Sequence, residues 1–221
     1  MSKRSKRQII REKRREVHKR YTYIRIGVVV LVLFAVIFSF LNRPEAIELD
    51  ESRLASNPVL GTDTPIVTIT EYGDFGCSAC RAWHNAGIKN RIMSEYGDKV
   101  QFVWKDFPVI TAQSPKAAEA GQCAFDQGLF WEYHDLLYDN APAIRVDDLK
   151  TYAIQLGLDA EQFNQCLDSG QNRAKVSQNL NEARQLGLPG TPSFLVNDQR
   201  LAGPPTYESL KSIIEQAIAG G

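Results

Sequence analysis

Ile66-Val67-Thr68-Ile69-Thr70-Glu71, followed by Cys77-Ser78-Ala79-Cys80 and then Arg81-Ala82-Trp83-His84-Asn85, is the stretch on which the fold turns. The first run is rich in β-branched residues and reads as a strand; the last reads as the start of a helix. Two cysteines three apart share one face of a helix's first turn, close enough to close a disulfide. Unpaired N–H groups and the positive end of the helix dipole face the first sulfur and favour its thiolate. Only the thiolate attacks, so the arrangement points to a reactive, reversible dithiol. Cys77 is then the exposed attacking sulfur and Cys80 its resolving partner one turn inside. The competing readings are half a zinc site or a plain bridge. A four-cysteine zinc site needs a second close pair, whereas Cys123 and Cys166 stand 43 residues apart without a neighbouring cysteine or histidine.

Toward the C-terminus the pattern predicts a helix from about Cys77 to Tyr96 and an alternating strand over Val100–Phe107. From Ser114 to about Gly187 it turns helical, in segments at 117–125, 129–138, 146–156, 160–167 and 174–186 separated by Gly, Pro or Asp. Ser193–Val196 reads as a strand, Asn197-Asp198 as a turn, Arg200–Ala202 as a partner strand and Thr206–Ala219 as a final amphipathic helix. Strand–helix–strand, a helical block, then strand–strand–helix predicts an α/β sheet interrupted by a helical insert at about 114–187, within a domain spanning 61–221. The dithiol lies near the carboxyl end of a strand, where open α/β sheets site their chemistry.

Toward the N-terminus the formal net charge of zero hides a segregation. Residues 1–25 hold 11 Lys and Arg against Glu12 and Glu16, which leaves 15 basic and 24 acidic residues in the remainder. Between arm and body, residues 26–41 carry no charge, enough for roughly 24 Å of helix. Arg25 can snorkel, and Tyr21 and Tyr23 suit an interfacial belt, so a single transmembrane signal anchor is expected, with the basic arm cytoplasmic and the body outside. A nucleic-acid-binding tail and a cleavable signal peptide are the rivals; no small-x-small site follows Phe38-Ser-Phe-Leu41. Residues 42–60 read as a tether. With the body outside the cytoplasm disulfides persist, and an even cysteine count suggests that Cys123 and Cys166 form a second one, against two buried thiols or a second redox pair.

The segment Val67–Cys80 resembles the active-site region of DsbA-like thiol–disulfide oxidoreductases in the thioredoxin superfamily, and Gly187-Leu-Pro-Gly-Thr-Pro-Ser-Phe-Leu-Val-Asn197 resembles their cis-proline loop. Phe102–Pro108 and Gln127–Asp135 resemble the family too, in the right order, over about Pro58–Ala219. The resemblance implies a thioredoxin fold with an inserted helical subdomain. It implies a cis Pro192 packed against the dithiol, Thr191 offering backbone hydrogen bonds to a bound peptide, Glu71 as a buried acid beneath the dithiol, and Lys105 as that acid's partner. Between the cysteines stands Ser78-Ala79 where strongly oxidising members commonly have Pro-His, a dipeptide that tunes the potential.

The function this implies is disulfide formation in secreted or envelope proteins by a monomer. Its partners are reduced or unfolded chains and a quinone-linked membrane reoxidase of the DsbB or vitamin K epoxide reductase-like type. The alternatives are a reductase or isomerase of the same fold and a tethered peptide-binding module without turnover. No cofactor or metal is expected. His18, His84 and His134 receive no role, and Trp83, Phe130, Trp131 and Tyr133 read as core or groove wall.

Overall fold

A computed structural model of the chain describes residues 56–197 and 199–220, together with Leu31 and Leu33, which are helical. The basic arm, most of the apolar span at 26–41 and the tether up to residue 55 lie outside the described residues. Among the described residues, no helix is long and apolar enough to cross a membrane.

Among the described residues, five strands form one sheet in the order β1-β3-β2-β4-β5: β1 Val59–Gly61, β2 Val67–Gly73, β3 Val100–Asp106, β4 Ser193–Val196 and β5 Gln199–Arg200. β2 lies at the centre, parallel to β3 and antiparallel to β4. The edge strand β1 runs antiparallel on β3 and begins within the stretch read as a tether, ending one residue beyond it. At three residues it is too short to show an alternation in the sequence. β5 sits one residue earlier than expected, with Arg200 opposite Leu195.

Helices α1 Ser78–Asn85 and α2 Ile88–Tyr96 replace the single helix expected over 77–96. The break is Gly87, which takes φ +68° and donates its N–H to the His84 carbonyl at 2.9 Å. A left-handed residue just past a helix end is what glycine supplies without steric cost. The insert folds as α3 Ser114–Phe125, α4 Phe130–Asn140, α5 Val146–Gln155, α6 Ala160–Ser169 and α7 Arg173–Gln185, and α8 Tyr207–Gly220 closes the chain.

Val67, Ile69, Phe102, Phe194 and Val196 of the sheet pack against Trp83 of α1, Ile92 of α2 and Leu210 and Ile214 of α8. A second core fills the insert and reaches Phe75, Cys80 and Trp104 beside the dithiol. Tyr72, Leu195 and Ala183 of α7 cover the opposite face. Cys123 and Cys166 are joined by a disulfide that ties α3 to α6.

Candidate active site

β2 delivers the chain to the dithiol through a loop held by one buried carboxylate. Asp74 Oδ1 accepts from the Gly76 N–H at 2.7 Å, and Oδ2 accepts from the Val109 and Ile110 N–H groups at 2.8 Å each. The sequence reading passed over Asp74, although an Asp two residues before a Gly is a recognisable Asx-turn signal. A Cβ at Gly76 would meet Ser114 Oγ at 2.6 Å and Thr111 Oγ1 at 2.8 Å, so only glycine lets this loop close on α3. Phe75 stacks on Trp104 with ring centroids 5.0 Å apart, anchoring the loop to β3.

Cys77 is the N-cap of α1, and its sulfur accepts the Cys80 N–H at 3.4 Å. The same sulfur lies 3.3 Å from the Thr191 carbonyl, and the Thr191–Pro192 bond is cis. A hydrogen bond from the Cys80 thiol, helped by the Cys80 and Ala79 N–H groups, outweighs burial and lowers Cys77 from the ordinary 9.0 to about 5. At neutral pH this sulfur is a thiolate. Cys80 is fully enclosed; burial first, then its bond to Cys77 and the charge of Glu71, push its proton affinity far up. Both cysteines are free, so the structure shows the dithiol.

Glu71, 2% exposed, stands beneath the pair on β2. Burial raises it to about 8; Lys89 pulls it down and the Cys77 charge pushes it up. The expectation for Lys105 is corrected. The β2–β3 register sets Glu71 beside Trp104 and Tyr72 beside Lys105, and neighbours in register share a face, so Lys105 points to the other side of the sheet. There its ammonium meets the Glu182 carboxylate of α7 at 2.5 and 2.6 Å. The cation whose field reaches Glu71 is Lys89 of α2, which the sequence reading passed over.

Lys89 is 4% exposed, gives Asp135 Oδ1 a 2.9 Å hydrogen bond and lies 4.4 Å from the centre of the Trp131 ring. The same Asp135 oxygen lies 2.7 Å from His134 Nδ1 and 3.6 Å from His84 Nδ1. Burial lowers His134 to about 3, leaving it neutral, and lowers His84 too. Burial draws Asp135 upward, but bonds from His134 and Lys89 prevail and hold it well below the usual carboxylate range. His84, His134 and Asp135 bring ligand-capable atoms within 4.8 Å of one another. The positive charge at that cluster is the Lys89 ammonium. His84 and His134 also pack on Tyr138, their rings at 5.2 and 4.9 Å.

Two clefts flank the dithiol. One of about 370 Å³ is lined by Ala79, Gly190, Thr191, Pro192 and Leu201. The other, about 100 Å³, is lined by Cys77, Ser78, Phe75, Arg81 and Pro142. Cys77 is 6% exposed, so the exposed attacking sulfur expected from the sequence is corrected: the sulfur is nearly covered, lies against the Thr191 carbonyl and forms part of the wall of the smaller cleft. The arrangement can exchange a disulfide with a thiol presented there.

A family model described as thioredoxin matches residues 54–216. The probable disulfide bond formation protein D of Bacillus cereus is 31% identical over 201 residues, covering 86% of this chain and 92% of that protein. The Na(+)/H(+) antiporter NhaA 3 of Salinispora tropica is 34% identical over 155 residues, 69% of this chain. The chain spans about a quarter of that antiporter's length, and 24% and 33% of two further NhaA relatives. Among solved structures, oxidised BdbD from Bacillus subtilis superposes with TM-score 0.68 at 25% identity, over 74% of this chain and 94% of that one. A thioredoxin-like oxidoreductase from Silicibacter pomeroyi gives 0.67 at 26% identity, over 78% and 99%.

Proposed function

This chain belongs to the thioredoxin family, and from that premise we propose that it is an extracytoplasmic, membrane-anchored thiol–disulfide oxidoreductase that forms disulfides in secreted or envelope proteins. The observation that carries the proposal is the asymmetry of the dithiol: a stabilised thiolate capping α1 at Cys77, and a sealed, protonated thiol at Cys80.

In the oxidised protein a substrate thiolate attacks Cys77. The Cys77–Cys80 bond breaks, a Cys77–substrate disulfide forms, and Cys80 leaves as a thiolate that takes a proton from Glu71. A second substrate thiolate attacks the substrate sulfur of the mixed disulfide and expels Cys77 as its stable thiolate. The substrate has lost two electrons to the dithiol. Thr191 beside Pro192 offers its backbone to an extended substrate segment. The disulfide is restored by passing those electrons to a quinone-linked membrane partner of the DsbB or vitamin K epoxide reductase-like type.

Thiolate stabilisation supports the oxidising direction. Moving Cys77 from 9.0 to about 5 favours the reduced form roughly hundredfold at pH 7, worth about 60 mV. The basic arm ahead of an uncharged span, and the Cys123–Cys166 bond, support a body outside the cytoplasm.

The test is trapping in cells with the full chain. Cys80→Ala should accumulate reductant-sensitive adducts through Cys77 that vanish when Cys77→Ser is added. A potential well above about −200 mV supports the oxidase; one near about −270 mV reverses its direction, and an absence of adducts removes the activity.

A further inference from the structure

The chain beyond its first 25 residues is acidic, with 24 Asp and Glu against 15 Lys and Arg. The two clefts beside the dithiol invert that balance. Apart from the Cys77 sulfur, the wall of each holds one charged side chain, and in both it is an arginine: Arg200 of β5 in the larger cleft and Arg81 of α1 in the smaller. Arg81 follows Cys77 by four residues and so lies on the same face of α1. Each guanidinium is aimed by one hydrogen bond to a main-chain carbonyl. Arg81 Nη1 donates to Ala141 at 2.5 Å, and Arg200 Nη1 donates to Gly187 at 3.0 Å. Neither pairs with a carboxylate among the described residues, so each keeps further N–H donors for a ligand. A cation in the first turn of a helix also opposes the helix dipole, so Arg81 is not placed to stabilise α1.

The acids near the dithiol leave those charges uncancelled. Asp74 is buried and spends both oxygens on the Gly76, Val109 and Ile110 N–H groups. Burial keeps Glu71 protonated at pH 7. In the oxidised protein Cys77 and Cys80 are bonded to each other and carry no charge. We propose that Arg81 and Arg200 are specificity-determining residues that select acidic peptide segments, each guanidinium taking a carboxylate beside the reacting cysteine of the substrate, one in each cleft. A planar guanidinium held at one nitrogen still offers a carboxylate paired donors. This rests on the oxidoreductase reading and names the substrate class of the same site.

The experiment measures reduction of the Cys77–Cys80 disulfide by blocked pentapeptides whose central cysteine is flanked on each side by two Glu, two Gln or two Lys. One peptide thiolate attacks Cys77 and expels Cys80, and a second peptide thiolate closes the peptide disulfide, so two electrons pass from two peptides to the dithiol. Quenched thiol trapping reads the rate. Each rate is divided by that of the same peptide with hydroxyethyl disulfide, which removes differences in the sulfur itself. At low salt the Glu peptide should react about tenfold faster than the Gln peptide, about threefold from each arginine, and the advantage should shrink as salt rises. The acidic body alone predicts the opposite order, with the Lys peptide fastest, so the sign of the preference separates the clefts from the net charge. Arg81→Gln and Arg200→Gln should each lower the Glu-to-Gln ratio about threefold, the double variant should bring it near one, and Arg81→Lys should restore it. Arg200 is exposed on a two-residue edge strand, so its variant serves if Arg81→Gln does not fold. A wild-type ratio near one, a Lys peptide that is fastest, or a Glu advantage that survives the loss of the arginines overturns the specificity alone. If no peptide of any charge reduces the disulfide, the oxidoreductase reading falls, and the specificity with it.

Discussion

The reduction potential of the dithiol should change slope with pH near pH 5. Reducing a disulfide to two protonated thiols takes up two protons for two electrons. Each proton contributes a tenfold change in the equilibrium per pH unit, about 30 mV for this couple. Cys80 keeps its proton across the accessible range, because burial dominates its affinity. Cys77 does not, since hydrogen bonds from Cys80 and the first-turn N–H groups hold it near 5. Below pH 5 the potential should therefore fall by about 60 mV per unit, and between pH 5 and 7 by about 30 mV. Glu71 leaves this window undisturbed, as burial keeps it protonated to about 8. The assay equilibrates the protein with glutathione buffers at a series of pH values and reads the dithiol fraction by thiol trapping, alongside thiolate absorbance near 240 nm. A slope of about 60 mV per unit continuing through pH 7, with no absorbance step near pH 5, would mean an ordinary thiol and refute the electrostatic basis of the mechanism.

Glu71→Gln should stabilise the protein at pH 7 by roughly 3 kcal/mol, and by little near pH 4. The sign follows from the raised value: native Glu71 holds its proton up to about 8 while the unfolded chain releases it near 4.5, so its contribution is complete below 4.5 and is lost as pH rises through 8. Urea unfolding at the two pH values reads the difference, and an equal gain at both would contradict the burial of an ionisable group. Replacing Cys123 and Cys166 together with Ala should cost about 4 kcal/mol through the 43-residue loop that their bond closes. The urea midpoint should drop while the thiolate step of Cys77 stays near pH 5; a moved step would show that the insert's bond also tunes the dithiol.

What was legible in the sequence was local. The two cysteines, the strand before them and the helix they open are within one short stretch, so propensity and spacing place Cys77 at a helix N-terminus. The alternation in Val100–Asp106 survives because each second residue, Val100, Phe102 and Trp104, is wholly buried. What escaped depended on contacts between distant elements. Glu71 and Lys105 look alike in the sequence, as single charges in apolar strands, and only the register shows that one faces the dithiol and the other faces Glu182. Lys89 lies in the polar run Ile88-Lys-Asn-Arg91 and reads as a solvated helix face. It is buried because α4, more than forty residues away in sequence, lays Asp135 and Trp131 across it. Gly87, by contrast, carried a readable stop signal, and its left-handed φ divides α1 from α2.

The helical insert does more for this site than cover it. A helix N-terminus alone contributes on the order of 1 kcal/mol to a nearby anion at an exposed surface, too little to lower a thiol from 9.0 to about 5. The remainder comes from fixed donors in a site shielded from water, where each hydrogen bond to charge counts for more. Shielding is the insert's part. Tyr138 and His134 of α4 pack with Phe75 and Trp104 into an aromatic box beside the loop that enters the dithiol. The same helix sets Asp135, which holds Lys89. One element thus dehydrates the dithiol, which raises the proton affinity of Glu71 and Cys80, and clamps the cation that draws Glu71 back into a range where it can exchange a proton. Enclosure raises Glu71 and the Lys89 charge lowers it, so the placement of α4, which supplies both the cover and the clamp, sets the balance.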